Sequence, residues 1–146
     1  LGKAIVPQMV KRGGGAFVNG VPLRVSEETE LSKAMLATGF AYHPDTLSEN
    51  LEVFGRVHPH VRSVRRPGAA ALDLAYVAAG RLDGFWELKL NPWDVAAGLL
   101  LIREAGGAVT GGAGAPYRLG ERVLVASNGR LHAKLVGLLD LAEALA

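Results

Sequence analysis

Glu87-Leu88-Lys89-Leu90-Asn91-Pro92-Trp93-Asp94-Val95-Ala96-Ala97-Gly98 is the stretch around which this chain is organised. It runs from the end of a strand into the first turn of a helix. Asn91 is a residue type that caps helices, and Pro92 suits the first helical position, where a missing N–H costs nothing. Asp94 then stands in the first turn, where the helix dipole favours a carboxylate. One reading of Asp94 is purely structural, because helix N-termini collect acids. The other is that Asp94 is held beside a second acid, Glu87, at a strand-to-helix corner. Such corners in α/β proteins bind ligands and hard cations.

Working outward, strands and helices alternate. Downstream, residues 92–105 read as a helix with Val95, Leu99 and Ile102 in line, stopped by Gly106-Gly107. Ala108-Val109-Thr110 and residues 123–127 read as strands separated by a glycine-rich loop. Asn128-Gly129 turns the chain into a last helix striped by Leu131, Leu135, Leu138, Leu139 and Ala142. Upstream, residues 69–79 read as an alanine-rich helix with Leu72, Tyr76 and Ala79 on one face. Before it, residues 34–38 and 61–64 read as strands. His43-Pro44-Asp45 reads as a turn, and Thr46 or Ser48 as the cap of a helix that shows Leu47, Leu51, Phe54 and Val57 on one face. Asn19-Gly20 between two apolar runs is a hairpin signal, since both turn positions need positive φ. Pro22 puts the second arm on an exposed edge. Arg12-Gly13-Gly14-Gly15 reads as a flexible break, and Ala4-Ile5-Val6 as a short strand. The alternation predicts a layered α/β domain.

Composition excludes several classes. The chain has 146 residues, enough for one domain with a sizeable core, and 49% of them are hydrophobic. It has no cysteine, so disulfide, thiolate and cysteine-zinc chemistry are out. No apolar run approaches a membrane span. No leader is legible, and a cytoplasmic location is the expectation. Sixteen Lys and Arg face fourteen acids, and Arg62, Arg65 and Arg66 form the densest basic group. That is not the basic stripe with interleaved aromatics of a nucleic-acid binder. No Ser-His-Asp arrangement or nucleophile elbow is present, and Gly111 to Gly114 lack the Lys-Ser/Thr of a nucleotide loop.

Trp93-Asp94-Val95-Ala96-Ala97-Gly98 resembles the second signature of the inositol monophosphatase family. The likeness extends upstream over residues 68–87, downstream over Arg103-Glu104-Ala105-Gly106-Gly107, and back to a hairpin at residues 13–20. It covers nearly the whole chain, with the poorest match at residues 1–11. The family's first signature, an Asp-Pro-x-Asp-Gly-Thr segment carrying most of its metal ligands, has no counterpart here. The resemblance implies that residues 1–146, read as a single domain or fragment, are the C-terminal portion of a longer phosphatase. The chain would then supply the C-terminal layers of an αβαβα fold.

The resemblance also assigns roles. Asp94 would be a Mg2+ ligand, with its fellow donors in the part absent from this sequence. Glu87 would accept hydrogen bonds from a polyol's hydroxyls, which suits a carboxylate; the rival reading is a solvated strand-end acid paired with Lys89. Gly68, Ala69 and Ala70 would line the substrate pocket. Ala69 stands where the family usually has Ser or Thr, and Pro67 replaces a commoner Thr, so side-chain hydroxyl contacts are lost there. Asp73 matches a family position but reads as structural, Asp83 as a turn acid, and the four histidines as surface residues. Arg65 and Arg66 either steer a phosphate or keep a loop soluble.

The implied activity is hydrolysis of a polyol phosphate monoester, inositol 1-monophosphate foremost, by a magnesium-activated water without a covalent intermediate. A homodimer is the expected assembly, and the 146-residue chain alone is expected to be inactive. Alternatives are a fructose-1,6-bisphosphatase-type sugar phosphatase of the same family, a relative acting on a 3′-phosphorylated adenosine nucleotide, and a non-catalytic binding or assembly module.

Overall fold

A computed structural model describes residues 9–40 and 44–139 of the chain. The expected strand at Ala4-Ile5-Val6, together with His43 and Ala142, lies outside them.

The largest element is a mixed sheet of five strands in the order β5-β4-β6-β8-β7. Its members are β4 (Met35–Thr38), β5 (Ser63–Arg65), β6 (Gly84–Leu88), β7 (Ala108–Thr110) and β8 (Val123–Ser127). β4 pairs in parallel with both β5 and β6, whereas β8 runs antiparallel to β6 and β7. Both faces are buried, and the strand side chains alternate between them. Trp86, Leu88, Val123 and Val125 face one core, while Phe85, Leu124 and Ala126 face the other.

Four helices cover these faces: α1 (Pro44–Val57), α2 (Ala70–Ala78), α3 (Pro92–Glu104) and α4 (His132–Leu139). α1 and α4 bring Val53, Val57, Leu135 and Leu139 to the first core, joined by Leu131 just before α4. α2 and α3 bring Leu74, Val77, Val95, Leu99 and Ile102 to the second. A small antiparallel sheet lies over α3, formed by β1 (Met9–Lys11), β2 (Gly15–Val18) and β3 (Val21–Pro22). The layers are therefore sheet, helix pair, sheet, helix pair, which is the layered α/β class read from the sequence.

The hairpin at Asn19-Gly20 forms as expected. Val18 pairs with Val21, and Asn19 and Gly20 have φ of 51° and 77°, the values a two-residue turn of this hand needs. Pro22 lies on the edge strand. The break expected at residues 12–15 is instead a pinned turn. Gly14 N–H donates to the Lys11 carbonyl at 2.8 Å, and the Glu104 carboxylate accepts from Gly13 N–H at 2.7 Å and from Gly15 N–H at 2.9 Å. The end of α3 thus holds the small sheet in place.

Three helix expectations need correction. Pro44 opens α1 instead of sitting in a turn, and Thr46 and Ser48 lie within the helix. The buried face of α1 is Thr46, Asn50, Val53 and Val57, while Leu47 and Leu51 are exposed. On that face Asn50 Nδ2 donates to the Thr46 carbonyl at 2.8 Å, while Asn50 Oδ1 has no hydrogen-bond partner. In α2 the buried positions are Asp73, Leu74, Ala75, Val77 and Ala78, whereas Leu72, Tyr76 and Ala79 are only half-buried. Alanine-rich helices carry weak periodicity, so packing against α3 decides the face. That packing is close at Gly98, where a Cβ would fall 2.6 Å from Leu74 Cβ. In α3 Asn91 occupies the cap position, but its side chain caps nothing; the Asp94 N–H bonds to the Asn91 carbonyl at 3.0 Å.

Candidate active site

The parallel strands β5, β4 and β6 all end at the same edge of the large sheet. Beyond that edge, the chain leaving β4 goes to α1 on one face and the chain leaving β6 goes to α3 on the other. Neighbouring strands whose connections part in this way leave a crevice between them. A cleft of about 640 Å³ occurs there. Its walls are Gly39 and Phe40 after β4, Arg66 and Gly68 to Ala71 after β5, and the corner from Glu87 to Asn91 with Asp94.

Every site residue expected from the sequence reaches this cleft. Gly68 has φ of 87°, which lets the chain turn from β5 into α2, and Ala69 and Ala70 begin that helix at the cleft wall. The first N–H groups of a helix have no partner within it, so this wall can face an anion. Asp94 is half-buried in the first turn of α3, while Trp93 beside it is 79% exposed and has no part in the core.

Glu87 is positioned by strand register. Thr38 pairs with Trp86, and the Thr38 hydroxyl donates to the Trp86 carbonyl at 2.8 Å. Gly39 therefore lies beside Glu87, so close that a Cβ on Gly39 would come within 2.3 Å of the Glu87 carboxylate. Gly39 directly follows the last residue of β4. Its smallness is what leaves room for the acid, a role visible only once β4 and β6 are aligned.

The electrostatics are those of crowded carboxylates. Burial is the main reason the Glu87 pKa rises to about 7, and the charges of Asp73 and Asp94 push the same way, against Arg66. Asp73 is buried, its pKa is raised by burial to about 6, and its Oδ1 atom has no hydrogen-bond partner. Asp73, which reads as structural in the sequence, is near enough to Glu87 for its charge to raise the Glu87 pKa. Its signal in the sequence was an acid among alanines and leucines, a pattern a solvent-facing helix position also produces.

The cleft also has a cationic side. Arg66 lies over the Phe40 ring at 5.1 Å from its centroid, and Lys89 has a φ of 59°. The Lys89 N–H donates to the Arg122 carbonyl at 2.6 Å, and the Arg122 side chain pairs with Glu49 of α1. The corner that carries Glu87 and Asp94 is thus tied to β8 and, through it, to α1.

The remaining candidates, Asp83, His58, His60 and His132, do not line this cleft. The Asp83 carboxylate accepts from the Ser26 hydroxyl at 2.5 Å and from Met35 N–H at 2.7 Å. His58 and His60 lie exposed in a short 3-10 turn. The ring nitrogens of His132 lie 2.9 Å from the hydroxyls of Thr110 and Ser127. Among the described residues, no three His, Cys, Asp or Glu side chains are grouped to hold a metal ion. Nor is any helix among them long and apolar enough to cross a membrane.

The chain is 46% identical over 125 residues to "Phosphatase IMPL1, chloroplastic" of Arabidopsis thaliana, an alignment covering 85% of this chain and 34% of that protein. It is 48% identical over 120 residues to "Nus factor SuhB" of Pseudomonas aeruginosa, covering 80% and 44%. The solved structure of the inositol monophosphatase from Anabaena superposes with a TM-score of 0.81 at 44% identity, covering 89% of this chain and 52% of that one. The chain thus spans less than half the length of these two curated relatives and about half of the solved one. The family model described as "Inositol monophosphatase family" matches residues 8–143, the layered fold agrees with the solved relative, and this chain belongs to that family.

Proposed function

We propose that this cleft is the C-terminal half of the active site of a magnesium-dependent phosphomonoesterase acting on a polyol phosphate, with inositol 1-monophosphate the leading substrate. The observation that carries the reading is the gathering of Glu87, Asp94 and the start of α2 around one cleft at the ends of parallel strands. Family membership and the names of the relatives support the chemistry.

The described residues fit a magnesium site in part. Asp94 offers a hard oxygen donor at the cleft wall, in the first turn of a helix whose dipole favours a carboxylate. The crowding of Glu87 by Asp73 and Asp94 marks an excess of negative charge that a cation relieves. The other donors would come from the part of the family's sequence that this chain does not contain. Magnesium, when bound, supplies charge neutralisation for phosphoryl transfer and acidifies water.

This chain's own residues do the rest. Asp94 would hold the cation. The N–H groups at the start of α2 face the phosphate oxygens, and glycine at residue 68 lets the backbone approach. Glu87 accepts from the hydroxyls of the leaving polyol. Water attacks phosphorus directly and gives up a proton, the P–O bond to the polyol breaks, and the leaving alkoxide takes up that proton to give the free alcohol and inorganic phosphate. The absence of a hydroxyl at Ala69 leaves Glu87 to carry more of the polyol recognition. A homodimer is the proposed assembly.

The test is release of inorganic phosphate by the intact protein from a small panel of phosphate esters, with and without Mg2+. We expect magnesium-dependent release, reduced at least about 100-fold in Asp94→Asn, a loss of roughly 2.7 kcal/mol in transition-state stabilisation. Undiminished turnover in that variant discards the ligand assignment. The name "Nus factor" carried by one relative favours a second reading, an assembly role. Absence of phosphate release from every ester would turn the assignment toward it.

A further inference from the structure

We infer that Gly39 is a positioning residue for polyol recognition: the Glu87 carboxylate is seated on its bare Cα, so the size of residue 39 sets how strongly the protein prefers a phosphate ester whose leaving group carries hydroxyls. The inference rests on the phosphatase reading above and deepens it. Glu87 is the acid that would accept from the polyol, but its long side chain turns about several bonds. Something outside Glu87 must fix where the carboxylate goes.

Sheet register decides the direction. One step beyond the Thr38–Trp86 pair, Gly39 and Glu87 are neighbours on two parallel strands, and both project to the same face of the sheet. On its other side Glu87 pairs with Leu124 of β8, which is buried and fills the space there. α2 and α3 cover this face, and the charges of Asp73 and Asp94 act on Glu87 from those helices. Room is left on the β4 side, over Gly39. The carboxylate takes it: a Cβ on Gly39 would be equally close to the carboxyl carbon and to both oxygens, so it would stand over the face of the group, well inside van der Waals contact.

Gly39 supplies space and not backbone freedom. It is buried, and its φ lies outside the left-handed region, so alanine can adopt the same backbone. The atoms that alanine would meet first are the far end of a flexible side chain and not main chain. The acid therefore gives way while the fold stands. Reaching ordinary contact takes a shift of about 1 Å, and a displacement of that size undoes a well-placed hydrogen bond. Glu87 lines the cleft, which is the open side for that movement. A carboxylate pushed into the cleft stands where the polyol has to lie.

The experiment uses the intact protein and two esters: inositol 1-phosphate, whose leaving group is a polyol, and p-nitrophenyl phosphate, whose leaving group has no hydroxyl beside the ester oxygen. Wild type is compared with Gly39→Ala, Glu87→Ala and the double variant. In Gly39→Ala the ratio of kcat/KM for the inositol ester over the aryl ester is expected to fall at least tenfold, chiefly through a higher KM for the inositol ester. In the Glu87→Ala background the same substitution is expected to leave that ratio within twofold, because the group it displaces is gone. A ratio unchanged within twofold in Gly39→Ala, or a further tenfold fall in the double variant, overturns the inference. If wild type hydrolyses neither ester, the phosphatase reading fails by itself. The seat is then judged by urea denaturation of the same four proteins. A midpoint shift on Gly39→Ala that differs between the two backgrounds supports it, and equal shifts overturn it.

Discussion

Glu87 shows how much a single position owes to its neighbours. As a sequence letter it is an acid at the end of a strand. In the fold it lies beside a glycine, and it feels the charges of a buried aspartate and an arginine. Its carboxyl and that of Asp73 are both raised, to about 7 and about 6, chiefly by burial. In the unfolded chain both groups titrate near their ordinary values, 4.5 and 3.8. Between those values and the raised ones, the folded state binds more protons than the unfolded state. Stability from these two groups is therefore fully present below the unfolded values and declines as pH climbs through the folded ones. Without added metal, the melting temperature is expected to fall between about pH 4.5 and pH 7. Glu87→Gln should flatten that decline, which parallel thermal melts of the two proteins across the range will show; an identical slope in the variant would mean that Glu87 titrates normally.

At the scale of elements, the signature stretch has two jobs that its sequence does not separate. Asp94 faces the cleft, whereas Gly98, one turn further on, is where α3 meets α2. The approach there leaves no space for a methyl group, because the nearest atoms are the Cβ and Cδ1 of Leu74, both 2.6 Å from an ideal Cβ. Gly98→Ala is expected to force the helices apart and to destabilise the protein by about 1–3 kcal/mol, the usual cost of overpacking. The measurement is urea denaturation, with a lower midpoint and an unchanged slope. A midpoint equal to wild type would show that the helix pair yields without cost. Since α2 carries Gly68 to Ala70 at its start and α3 carries Asp94, the same substitution should also widen the cleft.

The whole molecule separates scaffold from chemistry. The large sheet has a hydrophobic cluster on each face, and both clusters are closed by helices of this same chain. Burial of that kind is the main drive to folding. The 146-residue chain is therefore expected to fold cooperatively when isolated, as read by a single thermal transition in circular dichroism. Chemistry is another matter, because among the described residues no three His, Cys, Asp or Glu side chains are grouped to hold a metal ion, at Asp94 or elsewhere. The isolated chain is expected to release no phosphate from esters that the intact protein hydrolyses. Release at a comparable rate would show that one carboxylate with this cleft suffices.

Much of this was legible in the residues alone. Asn19-Gly20 announced its hairpin because two consecutive positive φ values leave few residue types to choose from. Pro92 and Asp94 announced the start of α3 because each suits the unpaired N–H groups of a first helical turn. The family likeness then named Glu87, Asp94 and the Gly68 loop, all of which line one cleft. What tertiary structure decided is of a different kind. The face that α1 buries, the room that Gly39 leaves for Glu87, the buried acid at Asp73 whose charge acts on it and the strained lysine at residue 89 follow from strand register and helix packing. Local patterns record what a residue prefers for itself. Those four features depend on what stands opposite, and the partner comes from a segment distant along the chain, which no local pattern encodes.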